Sequence, residues 1–426
     1  MKRGVMVGVL AWVFVAVLVL PAFGAGKTKI SVLRPGDEQK VAAFMAPALV
    51  KFMELNPDIE VEAIYESWGG WIQKYTTLFA ADTQPDVVFW WDNKQRDLSA
   101  KNRLIPLDKY VDASVFKAIP KSIWDLVSVG GDAHYYIPSS VDPFVLYYNK
   151  DVFRQAGLDP QKPPKTWDEL LACAKAIKEK TGLPGIGVPA QTGLNTLQEF
   201  VAHFVDQSTG TDMLDARNKP QFNNPKGLTA MEFLKKLWPY IQPSPTDYGR
   251  GQLRPLIRDG KIGMILEGPW AIPTLTEKFG DNLDASPIGF APPPVGPNGL
   301  KIDWAGTNGW IATRQGTAVQ SGKLISFLMS PEQLYTHHVA YGSVPMLPFE
   351  LKQKYYQYNY WKTFYTVNTE YQLIGMIGKY HPTPNAFYDQ LEAVWQAFMF
   401  GQIDAKSALA MGEQKVNEIN ARQGIR

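Results

Sequence analysis

The sequence predicts an α/β protein of two lobes built on largely parallel sheets. Three observations carry this. Strand-like and helix-like stretches alternate from the first segments onward, an apolar run at Asp86 to Trp91 reads as a strand buried on both faces, and the chain is long enough for two cores of ordinary size.

The elements follow in order. Lys29 to Leu33 reads as a strand, and it leads into a helix whose apolar residues Val41, Phe44, Met45, Ala48, Leu49, Phe52 and Met53 recur at spacings of three and four, ending before Pro57. Alternation then takes over, with Ile59, Val61 and Ala63 facing one way and Glu60 and Glu62 the other. A second helix, Trp71 to Ala81, precedes the buried strand. Thr166 to Lys180 carries a capping box, Thr166 with Glu169, and Gly182 closes the helix. Asn224 and Pro225 start another helix that runs to Trp238, and Ser330, Pro331 and Gln333 repeat that starting chemistry. The five prolines between Pro287 and Gly299 read as an ordered connecting loop. There is no internal repeat and no low-complexity tract.

The first residues read as a cleavable secretory leader: Lys2 and Arg3, an uncharged apolar run from Val5 to Leu20, then Pro21 and the small residues Ala22, Gly24 and Ala25. Cleavage is expected after Gly24, which leaves 402 of the 426 residues. The competing reading is a retained membrane anchor, since Gly4 to Gly26 is uncharged and about 20 apolar residues span a bilayer. Lys and Arg total 43 and Asp and Glu 41, so losing Lys2 and Arg3 leaves no net charge to attract a polyanion, and nucleic acid is excluded as a partner. Cys173, the sole cysteine, sits in a helical pattern far from the leader and reads as a small core residue, so neither a disulfide nor a lipid anchor is expected. The product is expected to diffuse freely in a periplasm as a monomer.

Several segments resemble the extracellular solute-binding proteins of ABC importers, the family that includes maltose-binding protein. Tyr136 to Gly182 (YIPSSVDPFVLYYNKDVFRQAGLDPQKPPKTWDELLACAKAIKEKTG) resembles that family's crossover strand, YNKD turn and following helix. Gln84 to Tyr110, Phe222 to Leu237, Asp259 to Leu275 (DGKIGMILEGPWAIPTL), Asn308 to Pro331 and the helix pair from Asn385 to Val416 fit in order and spacing. The resemblance implies the two-lobed periplasmic binding protein fold of type II, with mixed, mainly parallel sheets flanked by helices and three hinge crossings near Ser139, Trp304 and Val344. One lobe then takes residues 25–140 plus 304–343, and the other 141–303 plus 344–426. It also implies capture of a sugar or oligosaccharide by hinge closure and delivery to the importer's membrane permease.

A pyranose offers flat C–H faces and a rim of hydroxyls, so its site stacks aromatics on the first and aims polar groups at the second. Trp90 and Trp91 end a strand, where open α/β sheets bind ligands, and Asp92 follows them; alternation lets only one of the two face the core. Asp142 interrupts an apolar strand, and a buried carboxylate needs a partner. The resemblance makes it a sugar contact, while a hinge salt bridge is the alternative. Glu267 and Trp270 follow the strand Ile262 to Leu266, and the resemblance implies that the tryptophan of this GPW element stacks on the ligand. Trp304 and Asn308 belong to the second crossing, either as contacts or as hinge packing. Trp68 lies in a glycine loop suited to recognition. Arg34 and Asp37 follow the first strand within reach of a sugar edge, and Tyr388 stands where the resemblance places another stacking aromatic. Arg34, Arg250 and Arg254 leave room for an acidic sugar.

Two rivals remain. An extracellular glycosidase or polysaccharide lyase also lines clefts with tryptophan, but needs two carboxyl groups about 5 to 9 Å apart across one bond, and nothing in the pattern independently points to hydrolysis. The same fold binding a metal, polyamine or peptide is the other. His337 and His338 are adjacent and point apart in a helix, and no cysteine or carboxylate pattern completes a metal site. No cofactor is expected.

Overall fold

The computed structural model describes residues 26–36, 38–67, 70–91, 98, 103–127, 133–192, 196–375, 381 and 385–425. The alternating N-terminal pattern becomes β1 (Thr28–Pro35), α1 (Glu38–Leu55), β2 (Ile59–Glu66), α2 (Trp71–Ala80) and β3 (Val87–Trp91). Helix α1 buries Val41, Phe44, Met45, Ala48, Leu49 and Phe52, the stripe its periodicity predicts. Short helices α3 (Ala113–Ala118) and α4 (Lys121–Val127) lead to β4 (Ile137–Pro143), β5 (Val145–Asn149), α5 (Lys150–Gln155), α6 (Trp167–Thr181), β6 (Ile186–Gly187), α7 (Thr196–Thr209), α8 (Pro225–Leu237) and α9 (Arg250–Arg258). There follow β7 (Met264–Glu267), α10 (Ile272–Phe279), β8 (Ile288–Ala291), β9 (Ile302–Ala312), α11 (Ala318–Leu328), α12 (Pro331–Tyr341), α13 (Pro348–Leu351), α14 (Asn359–Glu370), β10 (Gln372–Ile374), α15 (Asn385–Met399) and α16 (Ala405–Arg422).

Local chemistry sets several boundaries. Thr166 accepts the Glu169 N–H at 3.3 Å, and Gly182 closes α6 at φ +74°, the left-handed geometry that glycine adopts without strain. Glu169 departs from the expected box, because its carboxylate takes the N–H of Lys165 at 2.6 Å instead of that of Thr166. Asn224 caps α8 through the N–H groups of Lys226 and Gly227. Ser330 makes no side-chain cap, and the proline-rich stretch after Pro287 contains β8 rather than loop alone.

Two mixed sheets result. The first has the order β10-β9-β3-β1-β2 with β4 paired to β9, and the second the order β6-β7-β5-β8. All the antiparallel pairings in both involve β5 or β9. These strands enter their sheets from the other half of the molecule, so they run against strands laid down by local βα repeats, and the second sheet is less parallel than the sequence pattern suggests. Helices cover both sheets, with separate buried clusters on each face. Neighbouring residues of the chain pack in the cores of different sheets at several places among the described residues. Val141 packs in a core of the first sheet and Phe144 in one of the second. Trp304 and Ala305 divide in the same way, and around α12 both halves are in contact: Leu334 and Leu347 lie in a core of the first, Val344 in one of the second, with Tyr335 and Val339 packed beside it. No helix among the described residues is long and apolar enough to cross a membrane.

Candidate functional site

The segment after β7 builds the clearest candidate. Strand β7 ends at Glu267, Gly268 stays extended, and Pro269–Ala271 tightens into a 3₁₀ turn that swings Trp270 back over the strand end. The indole N–H donates to the Glu267 carboxylate, which also accepts the Gly268 N–H at 3.0 Å. A side chain at Gly268 would put its Cβ 2.4 Å from the indole, so glycine permits this fold-back. Glu267 is 1% exposed and has its charge compensated: Arg250 Nη1 lies 3.7 Å away and Arg254 Nε 3.6 Å.

Trp270 remains half-buried, and two other aromatics gather beside it. Phe144 meets it edge-on at 5.9 Å and packs against Trp304 at 4.7 Å. Gly306 borders both indoles, since a Cβ there would lie 3.2 Å from Trp304 and 3.5 Å from Trp270. The guanidinium of Arg250 sits 4.4 Å over the Phe144 ring and binds Glu199 at 2.9 Å. Aromatic surface, a close-approach glycine and a fixed set of charges therefore meet where β9 and β5 leave the crossings. Tyr388, at the start of α15, is buried in the same core cluster as Phe144 and Trp304.

Asp142 is wholly buried, and its oxygens are engaged by the protein: Oδ1 accepts the Val344 N–H at 3.0 Å, and Oδ2 accepts Ser140 Oγ at 2.7 Å and Ser343 Oγ at 3.4 Å. Burial pushes its pKa up to about 6 against the opposing pull of these donors and of His338. His338 stands between Glu350 Oε1 (2.5 Å from Nδ1) and the Ser139 carbonyl (2.6 Å from Nε2). Burial opposes its charge, but Glu350, Asp142 and the carbonyl outweigh that and raise its pKa.

The first sheet presents a different picture. Trp90 is 4% exposed, its ring held between Trp71 (4.6 Å) and Tyr75 (3.9 Å). Trp91 pairs with Asn308 across the β3–β9 ladder. Asn308 is buried, and its carbonyl accepts the Ser139 hydroxyl at 2.9 Å. Arg34 is fully buried under aromatic cover, with Phe89 at 3.7 Å and Tyr341 at 4.8 Å. Burial lowers its pKa to about 10, so it stays cationic. Its Nη2 lies 2.8 Å from His337 Nε2, and burial together with the guanidinium keeps that imidazole neutral and accepting. Asp37, Trp68, Asp92 and the side chain of Trp91 lie outside the described residues. The structure thus brings Trp270, Glu267 and Trp304 together, sets Asp142 among the crossings, and leaves Trp90 and Arg34 in the packing of the first half.

Sequence reasoning passed over Phe144 and Glu199. Phe144 read as one more apolar strand residue, and Glu199 meets Arg250 across 51 positions of sequence with no local signal to link them. No group of three or more histidine, cysteine or acidic residues among the described residues forms a metal-binding cluster.

The model of the bacterial extracellular solute-binding protein family matches residues 35–335. A protein of Brucella abortus (strain 2308), named as a binding protein, is 26% identical over 338 residues, 79% of this chain and 80% of that one. The fold superposes with a TM-score of 0.81 on an ABC transporter solute-binding protein from Thermotoga lettingae TMO solved with alpha-D-tagatose (22% identical, covering 92% of this chain and 100% of that one). It superposes with a TM-score of 0.78 on the GacH receptor of Streptomyces glaucescens GLA.O, solved unliganded and with acarbose (19% identical, covering 92% and 98%).

Proposed function

We propose a function from the premise that this chain belongs to the bacterial extracellular solute-binding proteins. It captures a sugar or oligosaccharide between its two halves and delivers it to the permease of an ABC importer, without chemical change to the ligand. The observation that carries the sugar assignment is the Trp270 site: a half-buried indole anchored at its N–H by Glu267, flanked by Trp304 and Phe144 and bordered by Gly306. Such a surface suits the C–H face of a pyranose, and the partly exposed Glu199–Arg250 pair supplies hydrogen-bonding groups for its hydroxyls. The tagatose and acarbose bound in the Thermotoga and Streptomyces structures support this reading.

The rest of the reading follows from the same premise. The leader at residues 1–24 directs secretion to a periplasm, where the protein acts as a monomer without a lipid anchor. The lobes divide near residues 140, 304 and 344, and ligand contacts from both shift the population toward a closed form that the permease recognises. Placement of β4 and β5 in different sheets supports that division.

A thermal-shift panel of neutral and acidic sugars tests the proposal. A ligand that binds only the folded chain stabilises it by about 2.7 kcal/mol at 100 times its Kd, which moves the melting temperature by a measurable amount. Arg250 and Arg254 are already paired with glutamates and Arg34 is fully buried, so none of these three arginines is open to an acidic sugar. Absence of any shift across the panel, with folded protein, defeats the sugar assignment. Shortened oligosaccharides after incubation would favour the glycosidase or lyase instead.

A further inference from the structure

Helix α7 turns one polar face toward the candidate site. Glu199, His203 and Gln207 recur at every fourth residue, which sets them on successive turns of that face. Each holds a different part of the aromatic group beside Trp270. Glu199 binds Arg250 at 2.9 Å, and the Arg250 guanidinium lies over the Phe144 ring. His203 Nδ1 stands 3.0 Å from Asp303 Oδ1, while Asp303 Oδ2 accepts the Phe144 N–H at 2.8 Å. Gln207 donates to the Ile302 carbonyl at 3.0 Å, two positions before Trp304. Its own backbone carbonyl accepts from Asn298, in the loop that leads into β9, at 2.7 Å.

We propose that His203 and Gln207 are positioning residues of the sugar site: they hold the start of β9 and the Phe144 backbone so that Trp304 and Phe144 stay beside Trp270, and neither touches the ligand. Both are at most 2% exposed, too deep for a ligand to reach. The direction of the bonds is fixed by chemistry. The Trp167 indole can only donate, so Gln207 turns Oε1 to it at 2.7 Å and keeps Nε2 for the Ile302 carbonyl and, at 3.2 Å, for His203 Nε2. That ring nitrogen accepts, so the ring proton is on Nδ1 and faces Asp303. The approach is off the line of a straight hydrogen bond, and its attraction is that of an N–H dipole for a buried carboxyl group. Around Gln207 the donors and acceptors match, and a matched buried network holds one geometry. A site whose aromatics are already in place loses less binding free energy to ordering them.

This inference rests on the sugar-site reading, and its test separates the two. Gln207→Met keeps the bulk of the side chain but removes both the acceptor for Trp167 and the donor for Ile302. Trp167→Phe breaks the same amide's bond from the other side and leaves the bond to Ile302, since that carbonyl still needs a donor. Thermal melts record what each change costs the fold. At a temperature where all the proteins are folded, the dissociation constant of whichever sugar the panel identifies is measured by titration calorimetry, and hydrogen exchange of the Phe144 amide is followed in the ligand-free proteins. Both variants are expected to melt lower, but Gln207→Met binds at least about fivefold more weakly and loses Phe144 protection, whereas Trp167→Phe stays within about twofold of the wild type. Should Gln207→Met fail to fold, His203→Gln keeps a polar partner for Gln207, withdraws the ring from Asp303 and carries the same expectations. Unchanged affinity in Gln207→Met overturns the inference, as does an equal loss in Trp167→Phe, which would make the network structural only. If no sugar binds the wild type, the sugar assignment falls by itself; unchanged Phe144 protection in Gln207→Met then overturns the inference, and lowered protection upholds the positioning.

Discussion

Trp90 and Trp270 occupy equivalent places, each at or just past the C-terminal end of a sheet strand, yet their surroundings differ. At Trp90 the next helix delivers Trp71 and Tyr75 against the indole, and the ring disappears into a core. At Trp270 the chain folds back through Gly268, Glu267 fixes the indole N–H, and the neighbouring crossing contributes aromatic edges and a glycine. The same residue type in the same topological position is thus fully packed in one half and only half-buried in the other. What separates them is whether a helix or a crossing covers the strand end.

This contrast is open to direct test. The largest effect is expected for Trp90→Ala, which empties a packed site and should cost about 3–5 kcal/mol in denaturant unfolding. If that loss is under about 1 kcal/mol, Trp90 is not a core residue. Trp270→Ala should cost less in unfolding than Trp90→Ala while weakening sugar binding at least tenfold, about 1.4 kcal/mol, by titration calorimetry. Unaltered affinity there would erase the distinction between the two tryptophans. Gly268→Ala sharpens it further: the added methyl meets the indole, and displacing the ring should weaken binding by about 1 kcal/mol with the far-UV spectrum preserved. The smallest effect concerns the crossings. Asp142 has a folded pKa of about 6 against 3.8 for the ordinary side chain, so the folded chain holds its proton more tightly, and this group's contribution to stability declines as pH rises from about 4 to 6. Asp142→Asn should flatten that slope in urea titrations across the window, and an unchanged slope would place the titration elsewhere.

Much of the fold was legible because its signals are local. The stripe of α1, the Thr166 and Asn224 caps and the alternation of β2 depend on residues within a few positions of one another. The antiparallel insertion of β5 and β9 was hidden, because strand direction depends on where a chain arrives from rather than on its composition. The candidate site divides in the same way. The GPW turn is a local motif, whereas Phe144 and the Glu199–Arg250 pair become site features only when distant segments meet.

By itself, the sequence determined which stretches become helices and strands, that two cores form, and that tryptophan and carboxylate residues accumulate at strand ends, since propensity, periodicity and capping act over a few residues. Only the tertiary structure decided which tryptophan is buried and which stays half-buried, and that Asp142 accepts from Val344 and Ser140. Those outcomes turn on contacts across 200 residues, as between Asp142 and Val344, and such contacts have no energy until the chain has folded.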